Sequence, residues 1–331
     1  MTQPVPMVEI WRGPVVESLH TGHAVVCNAN GEIIHAWGNP DTVVLPRSSA
    51  KMLQALPLIE SGAADAFGLS DEQLALSCAS HNGALIHTDR VQSWLDTLEL
   101  SDNDLRCGPQ PPQDRSAKHG LIRAHTTPCQ YHNNCSGKHA GFLTLTKHLK
   151  AGPDYHTIDH PVQKACLAAF NEMTQETSTG YGIDGCSAPN HSVSVHGMAR
   201  AMASFAAANP EGTTRERAAA RLHRAMARYP ELVAGEGRAC TYLMRAMDHK
   251  VTVKTGAEGF FIAILPDQKL GVALKIKDGA TRAAECAIAA ILVKLGALDP
   301  NHPDAQRFTN APILNFNKLT TGHMRPTVAF A

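Results

Sequence analysis

Three short runs in this sequence carry side chains suited to attacking a carbonyl and moving protons. Ser48-Ser49-Ala50-Lys51 sets a hydroxyl and an amine three residues apart, followed by apolar Met52, Leu53, Ala55, Leu56 and Leu58. That pattern reads as a helix beginning at Ser48, and on a helix the Lys51 amine shares a face with the Ser48 hydroxyl. A lysine without its extra proton can take the hydroxyl hydrogen and leave an alkoxide-like nucleophile. Ser80-His81-Asn82 follows the segment 74–79 and opens a loop at Asn82-Gly83, while Lys254-Thr255-Gly256 sits on or at the edge of a strand. Each run also has a plain alternative: Ser48 as a helix cap, Lys51 and Lys254 as solvated charges, Ser80 and Asn82 as turn residues. The three together, in this order and in these settings, are much rarer than any one alone.

A fourth stretch, Asn133-Asn134-Cys135-Ser136-Gly137-Lys138-His139, opens another helix, where backbone N–H groups favour a thiolate. Cys135 there can be a nucleophile with His139 as its base, a metal ligand, or a buried structural cysteine. Composition favours the structural role. No Cys-x-x-Cys pair occurs, which weakens a conventional zinc-finger reading, although Cys129, His132 and His139 lie near enough to contribute to a site.

Around these runs the pattern alternates between extended and helical. Residues 8–37 read as two or three antiparallel strands, with a hairpin turn at Asn28-Ala29-Asn30-Gly31. Residues 70–76, 86–98, 136–149, 161–174, 197–208, 213–228 and 239–247 read as helices, and 107–119, with Pro109, Pro111 and Pro112, as loop. Strands return at 251–253, 259–265 and 271–277, then a helix from Thr281 to about Leu295 precedes a tail containing Pro and Asn. The expectation is an α+β protein forming a single catalytic unit. Its N- and C-terminal strands (about 1–47 and 250–331) build one antiparallel sheet flanked by helices, and 48–249 forms an inserted, largely helical lobe.

The totals narrow the class. Thirty basic and thirty acidic residues in 331 give no net charge, so neither nucleic acid nor an acidic membrane surface is an expected partner. Residues 1–7 show no secretory pattern, and the apolar run at 286–293 is too short to span a bilayer, so a soluble cytoplasmic protein is expected. Nine cysteines, an odd set without small-domain spacing, point to reduced thiols.

The Ser48, Ser80 and Lys254 motifs resemble the signature of the serine β-lactamase and penicillin-binding superfamily. Two features depart from it: the Ser80 motif follows Ser48 by only 32 residues, and a cell-wall enzyme is normally exported. Longer stretches are similar to the Rhizobium-type asparaginase II family across nearly the whole chain. They are Arg12-Gly13 with residues 16–20, Pro46–Lys51, Ser80–Gly83, Asn134–His139, Asp184–Pro189 and Ala234–Arg238. The resemblance implies a serine β-lactamase/glutaminase-like fold, a homodimer, and a Zn2+ ion held by Cys135, Lys138 and Cys186. It also implies hydrolysis of L-asparagine, a small-molecule substrate, through a serine acyl-enzyme. In that scheme Ser48 attacks, Lys51 is the base, and Ser80 with Lys254 relays a proton to the leaving ammonia. The backbone N–H groups of Ser48 and Ala257 would face the oxyanion. Arg47, Asn82 and Asp184 are substrate-binding candidates, with Glu236 and Arg238 weaker ones. Rival expectations are a glutaminase or β-lactamase-like amidohydrolase, a thiol hydrolase built on Cys135 and His139, and a non-catalytic zinc- or ligand-binding protein.

Overall fold

The computed structural model describes residues 3–330. The chain divides into two compact units, one of Met1–Ser49, Val193–Ala207 and Tyr242–Ala331, the other of Ala50–Ser192 and Ala208–Thr241.

The first unit is built on an eight-stranded antiparallel sheet. Its strands are β1 (Val5–Arg12), β2 (Val15–Asn28), β3 (Ile33–Trp37), β4 (Thr252–Thr255), β5 (Phe260–Leu265), β6 (Leu270–Ile276), β7 (Ala311–Leu314) and β8 (Thr320–Pro326). They lie in the order β7-β8-β1-β2-β6-β5-β4, and β3 pairs with β2 as well. Every residue of β5 is buried, so both faces of the sheet are covered at that point. Helices Val195–Ala207 and Thr281–Lys294 pack on it and supply that cover. The first crosses β6 so closely that a Cβ at Gly271 would lie 2.0 Å from the Ala203 nitrogen and 2.3 Å from the Ala199 oxygen. Helix 195–207, from the middle of the sequence, thus belongs with the sheet.

Two segments depart from the sequence reading. The stretch after Leu295 is not a tail: Pro303–Thr309 is helical, capped by the His302 side chain, and β7 and β8 join the sheet beside β1. In β8 only Gly322 and Met324 are buried, which leaves almost no apolar alternation to detect. The expected loop 107–119 ends early, because the Asp114 carboxylate accepts from the Ala117 N–H and starts a helix, Arg115–Arg123.

The second unit is mainly helical. Helix Lys51–Glu60 is buried at every position from Lys51 to Leu58, enclosed by helices Ser136–His148, Pro161–Thr174 and Thr214–Arg228. An apolar run buried all round explains its sequence, but it also forces Lys51 into the interior, where an amine must find partners.

Candidate active site

In the sheet unit, Ser48 does not start a regular α-helix. It lies in a 3-10 turn, Arg47–Ala50, that runs directly into the helix at Lys51. Arg47 enters that turn at φ 52°, in the left-handed region that an arginine rarely adopts. Such a conformation persists only where surrounding contacts hold it, and here they are visible. The buried Ser49 hydroxyl donates to the Lys254 carbonyl at 2.9 Å, and the Ser49 N–H donates to the Pro46 carbonyl at 3.1 Å. Gly256 is packed so tightly that a Cβ there would lie 2.5 Å from the Pro46 oxygen and 2.9 Å from the Ser49 Oγ. The Ser48 turn and the Lys254-Thr255-Gly256 strand are therefore held side by side. Lys254 is buried and its Nζ donates to the Thr255 carbonyl at 2.8 Å. Ala257 is exposed where the chain turns from β4 into β5, beside Glu258 at φ 58°.

In the helical unit, the Lys51 Nζ donates to the Ser80 Oγ at 2.9 Å, to the Cys135 Sγ at 3.1 Å and to the Ala79 carbonyl. Ser80 is fixed by its own N–H, which donates to the Val233 carbonyl at 2.9 Å. Cys135 caps helix Ser136–His148 without a side-chain bond to it, so its sulfur is left to face Lys51. Lys138, one turn on, donates to the Cys186 Sγ at 3.0 Å. Asn82 accepts from the Ala84 N–H and lies flat against Gly235, where a Cβ would meet its amide at 2.4 Å. Gly235 also has φ 109°, so any side chain at that position is excluded twice. Asp184 heads a turn, its carboxylate accepting from the Gly185 N–H at 2.7 Å. Glu236 is exposed, and Arg238 donates to Gln113.

The charges of this buried cluster are interdependent. The interaction between Cys135 and Cys186 holds the Cys135 thiol well above its ordinary range and the Cys186 thiol well below it, with Lys138 favouring the Cys186 thiolate. Burial opposes the Lys138 charge, but Cys186, Cys135 and Asp184 outweigh it and raise the Lys138 pKa. Burial lowers His139 to about 4, so its ring is neutral at pH 7. Among the described residues His139 bonds the Tyr155 hydroxyl through Nδ1, and its Nε2 has no hydrogen-bond partner.

Sequence reasoning did not single out Ser49, whose hydroxyl ties the two motifs of the sheet unit together, nor Tyr155, which contacts His139. Ser49 left no distinguishing mark beside Ser48; only the burial of one and the partial exposure of the other separates them.

A family model matches the chain over nearly its whole length. The model that matches it, over residues 8–326, is that of L-asparaginase II, and the chain belongs to that family. No curated protein matches it. Among solved structures it is similar to Mglu in its tris and glutamate form, at 11% identity and a TM-score of 0.49 over 90% of this chain and 63% of that one. It thus spans less than two thirds of the Mglu chain. It is also similar to a β-lactamase from Mycobacterium bovis, at 12% identity and a TM-score of 0.47 over 84% of this chain and 95% of the other. Among the described residues, no helix is long and apolar enough to cross a membrane.

Proposed function

We propose that this chain hydrolyses the side-chain amide of L-asparagine to L-aspartate and ammonia through an acyl-enzyme on Ser48. The observation that supports the reading best is the buried Lys51 amine at 2.9 Å from the Ser80 hydroxyl, three residues along the chain from Ser48. An amine buried at such cost, with a hydroxyl and no carboxylate among its hydrogen-bond acceptors, is suited to proton transfer.

In this reading the Ser48 Oγ adds to the amide carbon while Lys51 takes its proton, and the carbonyl oxygen becomes an oxyanion facing the N–H groups of Ser48 and Ala257. Collapse breaks the C–N bond. Ser80 and Lys254 form the second Ser-Lys pair, and a proton passed through the Ser80 hydroxyl leaves with the nitrogen as ammonia. Water then adds to the ester, Lys51 again takes the proton, and aspartate departs. Arg47 would pair with the substrate carboxylate and Asp184 with its ammonium, while Asn82, held against Gly235, would bond a polar substrate atom.

Cys135, Lys138 and Cys186 would hold Zn2+. Among the described residues no group of three His, Cys, Asp or Glu side chains could hold a metal, so an amine must complete this set. Two buried sulfurs and a buried amine that bonds one of them would suit zinc in ligand type, with the Lys138 proton displaced to solvent as the ion binds. A bound ion supplies a fixed positive charge for polar atoms of the substrate. The reading further takes the protein to be a cytoplasmic homodimer, and light scattering on pure protein tests the oligomeric state.

The deciding experiment is ammonia release from asparagine and from glutamine, with a chromogenic β-lactam alongside. Asparagine should be turned over with the highest kcat/KM. Faster release from glutamine, or opening of the β-lactam, would replace this substrate with a related one, and a flat result on all three would reject the hydrolase.

A further inference from the structure

Lys51 draws its acceptors from two segments far apart in the chain: the Ala79 carbonyl and Ser80 hydroxyl from one, the Cys135 sulfur from the other. His81 belongs to the first segment, is buried, and bonds the second on either side of Cys135. Its N–H donates to the Asn134 carbonyl at 3.1 Å, and its ring Nε2 lies 2.9 Å from the Ser136 Oγ. The direction of that second bond follows from its neighbours. The ring Nδ1 receives the Gly83 N–H at 3.2 Å, and an atom that accepts a backbone hydrogen carries none itself. A neutral ring then holds its hydrogen on Nε2 and donates it to Ser136, whose own hydrogen goes to the Tyr131 carbonyl at 2.9 Å. Donor and acceptor are thus matched at every link from Gly83 to Tyr131. Burial first, then His87 and Lys51, hold the His81 pKa well below its ordinary value, so the ring stays neutral. His87 stacks on it, with centroids 4.6 Å apart, and is itself fixed by a bond to the Glu231 carbonyl at 2.8 Å. Gly83, at φ 74°, brings the loop so close to the second segment that a Cβ there would lie 2.9 Å from the His132 oxygen.

We propose that His81 is a positioning residue: as the Nε2–H tautomer it ties the Ser80 loop to Ser136, and so sets the spacing between the Ser80 hydroxyl and the Cys135 sulfur around the Lys51 amine. One residue of the second segment on each side of Cys135 is gripped, so the sulfur cannot slide past Ser80 without breaking a buried hydrogen bond. The effect on turnover rests on the function proposed above; the tautomer and the spacing do not.

The test separates the two amide stand-ins for the ring. In His81→Asn the Oδ1 can still receive the Gly83 N–H, but the side chain is too short to reach Ser136. In His81→Gln the amide N–H2 stands where Nε2–H was. His81→Asn should lower kcat for ammonia release by about tenfold or more, and His81→Gln should recover most of that loss. Ser136→Ala should cost as much as His81→Asn, and combining the two should cost little more than either. Losses that simply add, or a kcat within twofold of wild type in folded His81→Asn, overturn the proposal. Two readouts stand apart from turnover. Long-range proton–nitrogen correlation NMR on histidine-labelled protein, with the His81 signals assigned by their loss in His81→Asn, should show a bare Nδ1 and a hydrogen on Nε2; a hydrogen on Nδ1 overturns the proposal. Crystal structures of wild type and His81→Asn should differ in the separation of the Ser80 Oγ and the Cys135 Sγ by about 0.5 Å or more, and an unchanged separation overturns it as well. Wild-type protein that releases no ammonia from asparagine would reject the substrate reading instead, and the tautomer and the separation would still decide this proposal.

Discussion

Adding one methyl group at Gly256 tests whether the Ser48 turn must be seated on the Lys254 strand. In Gly256→Ala the new Cβ would stand 2.5 Å from the Pro46 carbonyl oxygen and 2.9 Å from the Ser49 Oγ. The hydroxyl can rotate away, but the carbonyl belongs to the backbone just before Arg47, so turn and strand must separate by about 1 Å to reach ordinary contact. A displacement of that size at a reacting group costs roughly 100-fold in rate, or about 2.7 kcal/mol in the barrier. Steady-state ammonia release should therefore show kcat lowered about 100-fold while circular dichroism stays native. Gly271→Ala is the control. It drives a methyl into the backbone of helix Val195–Ala207, so it should lower the melting temperature, with an overpacking cost of about 1–3 kcal/mol, and spare kcat in the protein that remains folded. If folded Gly256→Ala kept kcat within twofold of wild type, the close seating would have no part in catalysis.

Three further outcomes are expected. Ser48→Ala should lose turnover by several orders of magnitude, whereas near-normal ammonia release would move the nucleophile elsewhere. Cys135→Ser should carry less zinc by elemental analysis and raise KM more than it lowers kcat; equal metal content in the two proteins removes Cys135 from the ligand set. His223, on helix Thr214–Arg228, is lowered by burial, and secondarily by Arg224, to about 4. Its ordinary value is about 6.5, so below that pH the unfolded chain binds a proton that the folded one refuses. Its contribution is complete above pH 6.5 and is lost as the pH falls to 4, by at most about 3 kcal/mol. Melting temperature against pH should thus flatten across that window in His223→Leu, and an unchanged slope would assign the acid sensitivity to other groups.

Most of the longer helices and the central strands were legible in the sequence because burial on one or more faces writes itself into apolar spacing. Pro161–Thr174 and the Thr213 cap of helix Thr214–Arg228 are cases in point. The strand β8 was not, because its place is set by backbone pairing to β1 and only Met324 contributes an apolar side chain to the buried face. At the site, residue types were readable but conformation was not. Nothing in Pro46-Arg47-Ser48 signals that Arg47 lies at positive φ, or that Ser48 occupies a 3-10 turn, since both follow from a contact with a strand more than 200 residues away. Likewise, Cys135 and Cys186 are ordinary buried cysteines in composition. Their opposed ionisation arises from their interaction with each other, from burial and from neighbouring Lys138, Lys51 and His139.

The pairing of β1 with β8 joins residues 316 positions apart, as in the Arg325–Glu9 ion pair. During synthesis from the N-terminus, the β1–β2 hairpin emerges early, yet its neighbours β6 and β8 are made only after residues 38–269 have been translated. Until then both of its edges present unpaired backbone groups, the arrangement that invites association with other chains. Yield of native protein should therefore depend on translation speed and on chaperones that shield strand edges more than on the final stability of the sheet.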